Sequence, residues 1–167
     1  MKGRKKTTVR KVVLKAAGMA ACAAVLFLGV LGLTPQHGNQ MFPAVKDGDL
    51  AVSLRLTQHY RCDSVVAYRD PYGRTRLGRI VGMPGDQIDI SREGQLRING
   101  QMAVEEIFYP TVYGGKAVKE LPAKVPDEYC FILNDHREET DDSREFGMIA
   151  YRDLRGEVIW LFRIRGF

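Results

Sequence analysis

The chain is 167 residues long, room for one modest domain and a terminal segment, with a formal net charge of +5. Seven cations (Lys2, Arg4, Lys5, Lys6, Arg10, Lys11 and Lys15) crowd the first 15 residues without an acidic residue among them, which leaves the other 152 residues at −2. The basicity belongs to one arm and not to a folded surface, which argues against nucleic-acid binding.

From Ala16 to Leu33 come eighteen residues without a charge, rich in Ala, Leu, Val and Gly. At about 1.5 Å per residue, a helix of that length just spans a hydrocarbon core of about 30 Å if its flanks help. The expected organisation is a cytoplasmic arm over 1–15, a transmembrane anchor over 16–33 and an extracytoplasmic domain over 34–167, oriented by the positive-inside rule. A cleaved secretory signal peptide shares the charged arm and the apolar run. Its apolar core is shorter, however, and no clear small-x-small site precedes Thr34-Pro35-Gln36.

Beyond Asp49 the pattern has period two. Leu50, Val52 and Leu54 alternate with Ala51, Ser53 and Arg55, as in a half-buried strand. Ser64 to Tyr68 and Arg76 to Val81 are short apolar runs around the turn signal Asp70-Pro71-Tyr72-Gly73. Ile88, Ile90, Leu96 and Ile98 read as a hairpin across Ser91-Arg92-Glu93-Gly94, and Asn99-Gly100 marks the next turn. Glu128 to Leu133, Phe146 to Tyr151 and Glu157 to Ile164 complete the expected strands, whereas Glu105 to Pro126 reads as an insertion or long loop. The fold class is therefore mainly β, an antiparallel domain behind one N-terminal helix.

Cys22 falls in the apolar run as a small filler. Cys62 and Cys130 lie in the β domain, where a bridge is open to them but free thiols are preferred. The cysteines and His37, His59 and His136 show no metal-ligand spacing, and no cofactor is expected.

Four segments carry more specific information. Gly38-Asn39-Gln40-Met41-Phe42-Pro43-Ala44 has the form Gly-x-Ser-Met-x-Pro-Ala/Thr, with Gln40 where the serine would stand. Asp47-Gly48-Asp49-Leu50-Ala51-Val52 follows, then Gly78-Arg79-Ile80-Val81-Gly82-Met83-Pro84-Gly85-Asp86, the most specific string of the four. The last is Asn134-Asp135-His136-Arg137-Glu138-Glu139-Thr140-Asp141-Asp142-Ser143-Arg144-Glu145-Phe146-Gly147. In this order the four segments resemble the bacterial type I signal peptidases, membrane-surface proteases that use a serine nucleophile and a lysine base.

The departures fall on the chemistry. Acyl transfer needs a hydroxyl or thiol nucleophile and a base to take its proton. By the resemblance, Gln40 replaces that serine and Gly78 replaces the lysine; Thr140 stands for a supporting serine, His136 for an asparagine and Asn134 for a glycine. Asp142 and Arg144 look like the family's structural ion pair, with Ser143 between them. Ser53, Ser64, Ser91 and Ser143 are the serines open to a surrogate role, but the lysine partner is missing; His136, read in preference as a turn residue, is the only remaining candidate base. The resemblance thus implies a degenerate member with no catalytic residue.

The resemblance also implies a groove in which an extended polypeptide adds as a strand, between the segment after the nucleophile position and the strand before the lysine position. Gly38, Gln40, Met41, Pro43, Gly78 and Arg79 are its expected residues, with Thr140, Asp142, Ser143 and Arg144 as structural neighbours. The resemblance further suggests degenerate relatives of Gram-positive bacteria that act as pilus-assembly chaperones. The expected partners are therefore extended protein segments, with a major pilin and a sortase as the specific case, at the membrane. A weakly active peptidase and a scaffold for a catalytic paralogue are the alternatives.

Overall fold

The computed structural model describes residues 2–57, 59–105, 107 and 109–163. The elements run α1 (Lys2–Val30), β1 (Leu31–Pro35), β2 (Asp49–Leu54), β3 (Val65–Arg69), β4 (Thr75–Gly82), β5 (Gln87–Ile90), β6 (Leu96–Ile98) and β7 (Gln101–Met102). After a 3₁₀ turn at Ala117–Glu120 come β8 (Ala123–Lys124), β9 (Tyr129–Leu133), α2 (Ser143–Phe146), β10 (Ile149–Ala150) and β11 (Leu154–Arg163). Seven strands form one sheet in the order β1-β2-β11-β3-β4-β9-β10, and four form a second in the order β7-β6-β5-β8. Every pairing is antiparallel. The mainly β reading is correct.

The N-terminal reading needs correction. Among the described residues no helix is long and apolar enough to cross a membrane. The uncharged run Ala16 to Leu33 is not one helix, because α1 stops at Val30 and Leu31–Leu33 enter β1, pairing with Leu54–Val52 of β2. The run contributes fifteen residues to the helix, about 22 Å at 1.5 Å each, short of the span that the whole run promised.

Of the two faces that alternate along β2, the one with the smaller residues lies inward. Asp49, Ala51 and Ser53 are fully buried, whereas Leu50 and Leu54 are half-exposed. The small residues lie inward because Met41 and Val45 pack over Ala51 and Ala67 from that side. On the outer side, register aligns Leu33, Val52 and Trp160 across three strands, and Pro35, Leu50 and Phe162 beside them. Leu33, Trp160 and Phe162 are all at least half exposed, so an apolar sheet face is turned outward next to the end of α1.

The hairpin β5–β6 pairs Ile88 with Ile98 and Ile90 with Leu96, and Asn99-Gly100 turns the chain into β7. Glu105 to Pro126 is less loop-like than expected: it holds the 3₁₀ turn and β8, and buries Val118 and Val125 against Ile88 and Phe131. Its Glu106 and Phe108, like Ile164 at the end of the last expected strand, lie outside the described residues. Phe146 to Tyr151 is not a strand along its length, since Phe146 ends α2, only Ile149–Ala150 pair with β9, and Tyr151 opens a 3₁₀ turn. Cys130 is buried and Cys62 exposed, and both are free thiols. Burial pushes the Cys130 thiol up to about 12.

Candidate functional site: a cleft between two strand edges

Two strand edges set up the site. Among the described residues, β1 is the outermost strand of its sheet and pairs only with β2. β4 pairs along one side with β3 from Thr75 to Arg79, but on the other side β9 begins only opposite Arg79. Thr75–Gly78 therefore has a strand on one side alone. Thr34–His37 and Arg74–Leu77 flank the same cleft, of about 250 Å³, with Gln40, Asn134 and Asp141 completing its lining.

Gln40 is held from both its backbone and its side chain. Its carbonyl accepts from His136 N at 2.9 Å, and its Oε1 accepts from Gln36 Nε2 at 3.2 Å. Gln36, itself buried, also donates to the carbonyls of His37 (3.3 Å) and Gly38 (3.2 Å). Gly38 has φ of +81°, and a Cβ there would come within 2.8 Å of Gln40 Oε1. The bare backbone at Gly38 thus lets the Gln40 carboxamide fold back over it.

Opposite Gln40 lies an ionic network. Arg76 Nε donates to Asp70 Oδ2 at 2.8 Å, and its Nη1 donates to Asp141 Oδ2 at 2.5 Å. Arg74 Nε donates to the same Asp70 oxygen at 2.8 Å, and Asn134 Nδ2 donates to Asp141 Oδ1 at 2.9 Å. Burial alone would raise the Asp70 pKa, but the hydrogen bonds from Arg76 and Arg74 outweigh it and hold the carboxyl below its ordinary value.

Of the residues expected in the groove, only Gln40 lines the cleft. Met41 is fully buried in the core with Val45, Ala51 and Leu77. Gly38 and Pro43 do not reach the lining. Arg79 is a structural residue: its Nε and Nη2 grip the buried Asp135 carboxylate at 2.7 and 2.6 Å, and its Nη1 donates to the Asp63 carbonyl at 2.8 Å. Gly78 is not on the cleft floor. A Cβ at this position would collide with Ile132 Cγ2 and come within 3.1 Å of Tyr68 Cε1. Its side-chain direction points into the core that Val66, Tyr68, Ile80 and Ile132 build. The cleft runs beside the segment that precedes Gln40, Thr34–His37, whereas the expected groove lay along the one that follows it.

The structural neighbours form a buried knot. Asp142 and Arg144 are both fully buried and paired at 2.7 Å. Asp142 also accepts from the backbone nitrogens of Asn134 and Arg144, each at 2.9 Å. Arg144 Nη1 donates to the carbonyls of Arg137 (2.6 Å) and Val112 (3.1 Å), and its Nη2 donates to that of Glu139. Ser143 is buried, and its Oγ accepts from Ile132 N at 2.9 Å. Thr140 lies away from the cleft, its methyl against Gly114. Arg137, which sequence reasoning passed over, is fully buried and clamps Glu105 through both terminal nitrogens.

Chemically, the cleft offers carboxamides, threonine hydroxyls, the His37 imidazole and a satisfied ion network. No serine, cysteine or lysine lines it. Among the described residues no group of histidine, cysteine and carboxylate side chains is arranged to hold a metal.

Comparison with known proteins gives a consistent result. A family model described as "Signal peptidase, peptidase S26" matches residues 9–163. Among curated proteins, the chain is 26% identical over 162 residues to signal peptidase I of Bacillus caldolyticus, covering 87% of this chain and 88% of that protein. It is 27% identical over 164 residues to signal peptidase IB of Staphylococcus aureus, covering 86% and 85%. The fold is similar to the crystal structure of a signal peptidase I from Enterococcus faecalis V583, with a TM-score of 0.50 at 24% identity, covering 60% of this chain and 97% of that one. The chain belongs to the signal peptidase family, peptidase S26.

Proposed function

We propose that this chain is a membrane-anchored, non-catalytic member of its family that binds extended polypeptide segments and serves in their assembly. A major pilin handled beside a sortase is the specific case. The observation that carries the proposal is the cleft's chemistry: two strand edges face it, yet no serine, cysteine or lysine lines it, and its threonine hydroxyls have no lysine beside them. Gln40 stands at the nucleophile position and attacks nothing. At the lysine position, the space that a side chain would need belongs to Ile132 and Tyr68. An extended segment entering between β1 and β4 would gain backbone hydrogen bonds on both sides. The test is a preprotein incubated with the full chain in detergent. We expect no cleavage above background, and in cells loss of polymerised pili on deletion while secretion continues.

The peptidase reading has one point in its favour, the relatives' names. It needs a surrogate nucleophile, and Ser143 is buried with its Oγ turned to Ile132 N. Preprotein cleavage that vanished in Ser143→Ala would establish that reading and end ours.

At the membrane, α1 and the outward apolar face work together. By the positive-inside rule, the basic arm favours a cytoplasmic N-terminus. The uncharged part of the helix is short for a full span, and the outward face bearing Leu33, Trp160 and Phe162 follows directly on its end. Trp160 is the single tryptophan of the chain. In reconstituted vesicles its emission is expected to be quenched by brominated lipids; emission that stays at the aqueous wavelength without quenching would place this face away from the bilayer. Protease added to intact cells should remove the β domain and spare an N-terminal fragment.

A further inference from the structure

We propose that the cleft selects segments with neutral polar side chains (Ser, Thr, Asn or Gln) at the alternate positions that face it, and discriminates against small apolar ones. The inference rests on the reading of the cleft as a strand acceptor and adds what that strand carries.

Three observations point this way. Most of the lining side chains are polar: the Gln40 carboxamide and the exposed Thr75 hydroxyl are open to an occupant, while the buried Gln36 and Asn134 stand behind them, holding Gln40 and Asp141. The apolar exceptions are Pro35 and Leu77, and Leu77 is committed to the core with Met41. Second, the charges close on themselves. The two cations Arg74 and Arg76 meet the two anions Asp70 and Asp141 at 2.5–2.8 Å. The network has no net charge to favour an acidic or a basic occupant. Third, the Gln40 carboxamide is oriented. With Oε1 held by Gln36 Nε2, its nitrogen end remains for a ligand acceptor.

An apolar side chain pressed onto the Gln40 nitrogen or the exposed Thr75 hydroxyl would remove its water and return nothing. A hydroxyl or carboxamide replaces that water bond for bond. One such group decides a preference of about five- to a hundredfold.

The test uses the full chain in detergent micelles with two labelled nonapeptides, both uncharged. One alternates Ser, Asn and Gln with Gly, and the other alternates Ala and Val with Gly; empty micelles are the blank. Fluorescence anisotropy should show the polar peptide binding at least fivefold more tightly. Gln40→Trp, which fills the cleft, should weaken it at least tenfold. His37→Trp, at an exposed lining position, repeats that check should the first variant fold poorly. Equal or tighter binding of the apolar peptide would overturn the inference while leaving the strand-acceptor reading intact. Binding of neither would overturn that reading itself. Polar binding indifferent to both tryptophan variants would place the peptide elsewhere and overturn both.

Discussion

Asp142→Ala is expected to cost the domain about 3–5 kcal/mol, the effect of breaking a buried pair and leaving one charge without its partner. Arg144 would stay fully buried with its guanidinium facing only carbonyls. The same change removes the acceptor for Asn134 N and for the first turn of α2. Against a typical domain stability of about 5–15 kcal/mol, this is a third or more of the total. Removing the whole pair is not an escape. Replacing both residues by apolar ones strands the Val112, Arg137 and Glu139 carbonyls that Arg144 now satisfies, so Asp142→Leu with Arg144→Met should still be destabilising. Urea unfolding of the full chain in detergent would show the midpoint falling at constant slope. A loss below 1 kcal/mol for Asp142→Ala would mean that the knot does not hold residues 134–144 in place. Asn134 and Asp141, which line the cleft, sit inside that segment, so the variant should lose peptide binding along with stability.

The parts of this molecule that were legible in the sequence are those governed by local chemistry. The turn at Asp70–Gly73, the hairpin β5–β6 and the Asn99-Gly100 turn follow from residues that need particular backbone geometry. Alternation located β2 but could not say which side faced the core, because period two marks two faces without naming them. Here the larger side chains face outward and the small ones lie under Met41. β1 was hidden at the end of an apolar run, where a short strand and a helix end carry the same signal. The cleft was the least legible feature. Its walls depend on where β9 stops pairing with β4, a fact of register between residues more than 50 positions apart. Arg76 and Asp141 find each other over a separation of 65 residues, and no motif announces that pair. Arg79, by contrast, was visible in a motif, but its buried partner Asp135 lies 56 residues away and was not legible with it.

Gly78 joins these local and distant constraints, and restoring the family's dyad should therefore fail for steric reasons before chemical ones. Even Gly78→Ala places a Cβ against Ile132 Cγ2 and the edge of the Tyr68 ring. Both neighbours are fully buried, so neither can swing aside into solvent. Overpacking of this kind costs about 1–3 kcal/mol, and Gly78→Lys should cost more, since a charge is driven into the same core. The combined Gln40→Ser and Gly78→Lys variant is expected to lose stability and to cleave no preprotein, because its lysine points at Ile132 and not into the cleft that Gln40 lines. A double-mutant cycle isolates the cause. Ile132→Ala by itself should cost about 2–5 kcal/mol as a large-to-small core change. In a Gly78→Ala background it should cost less by about 0.5–3 kcal/mol, the range found for residues in contact. Strict additivity would mean that the new methyl is accommodated without touching Ile132. A Gln40→Ser, Gly78→Lys protein that folds as well as the parent and cuts a signal peptide would show that the position opens onto the cleft, and the steric account of the lost lysine would be wrong.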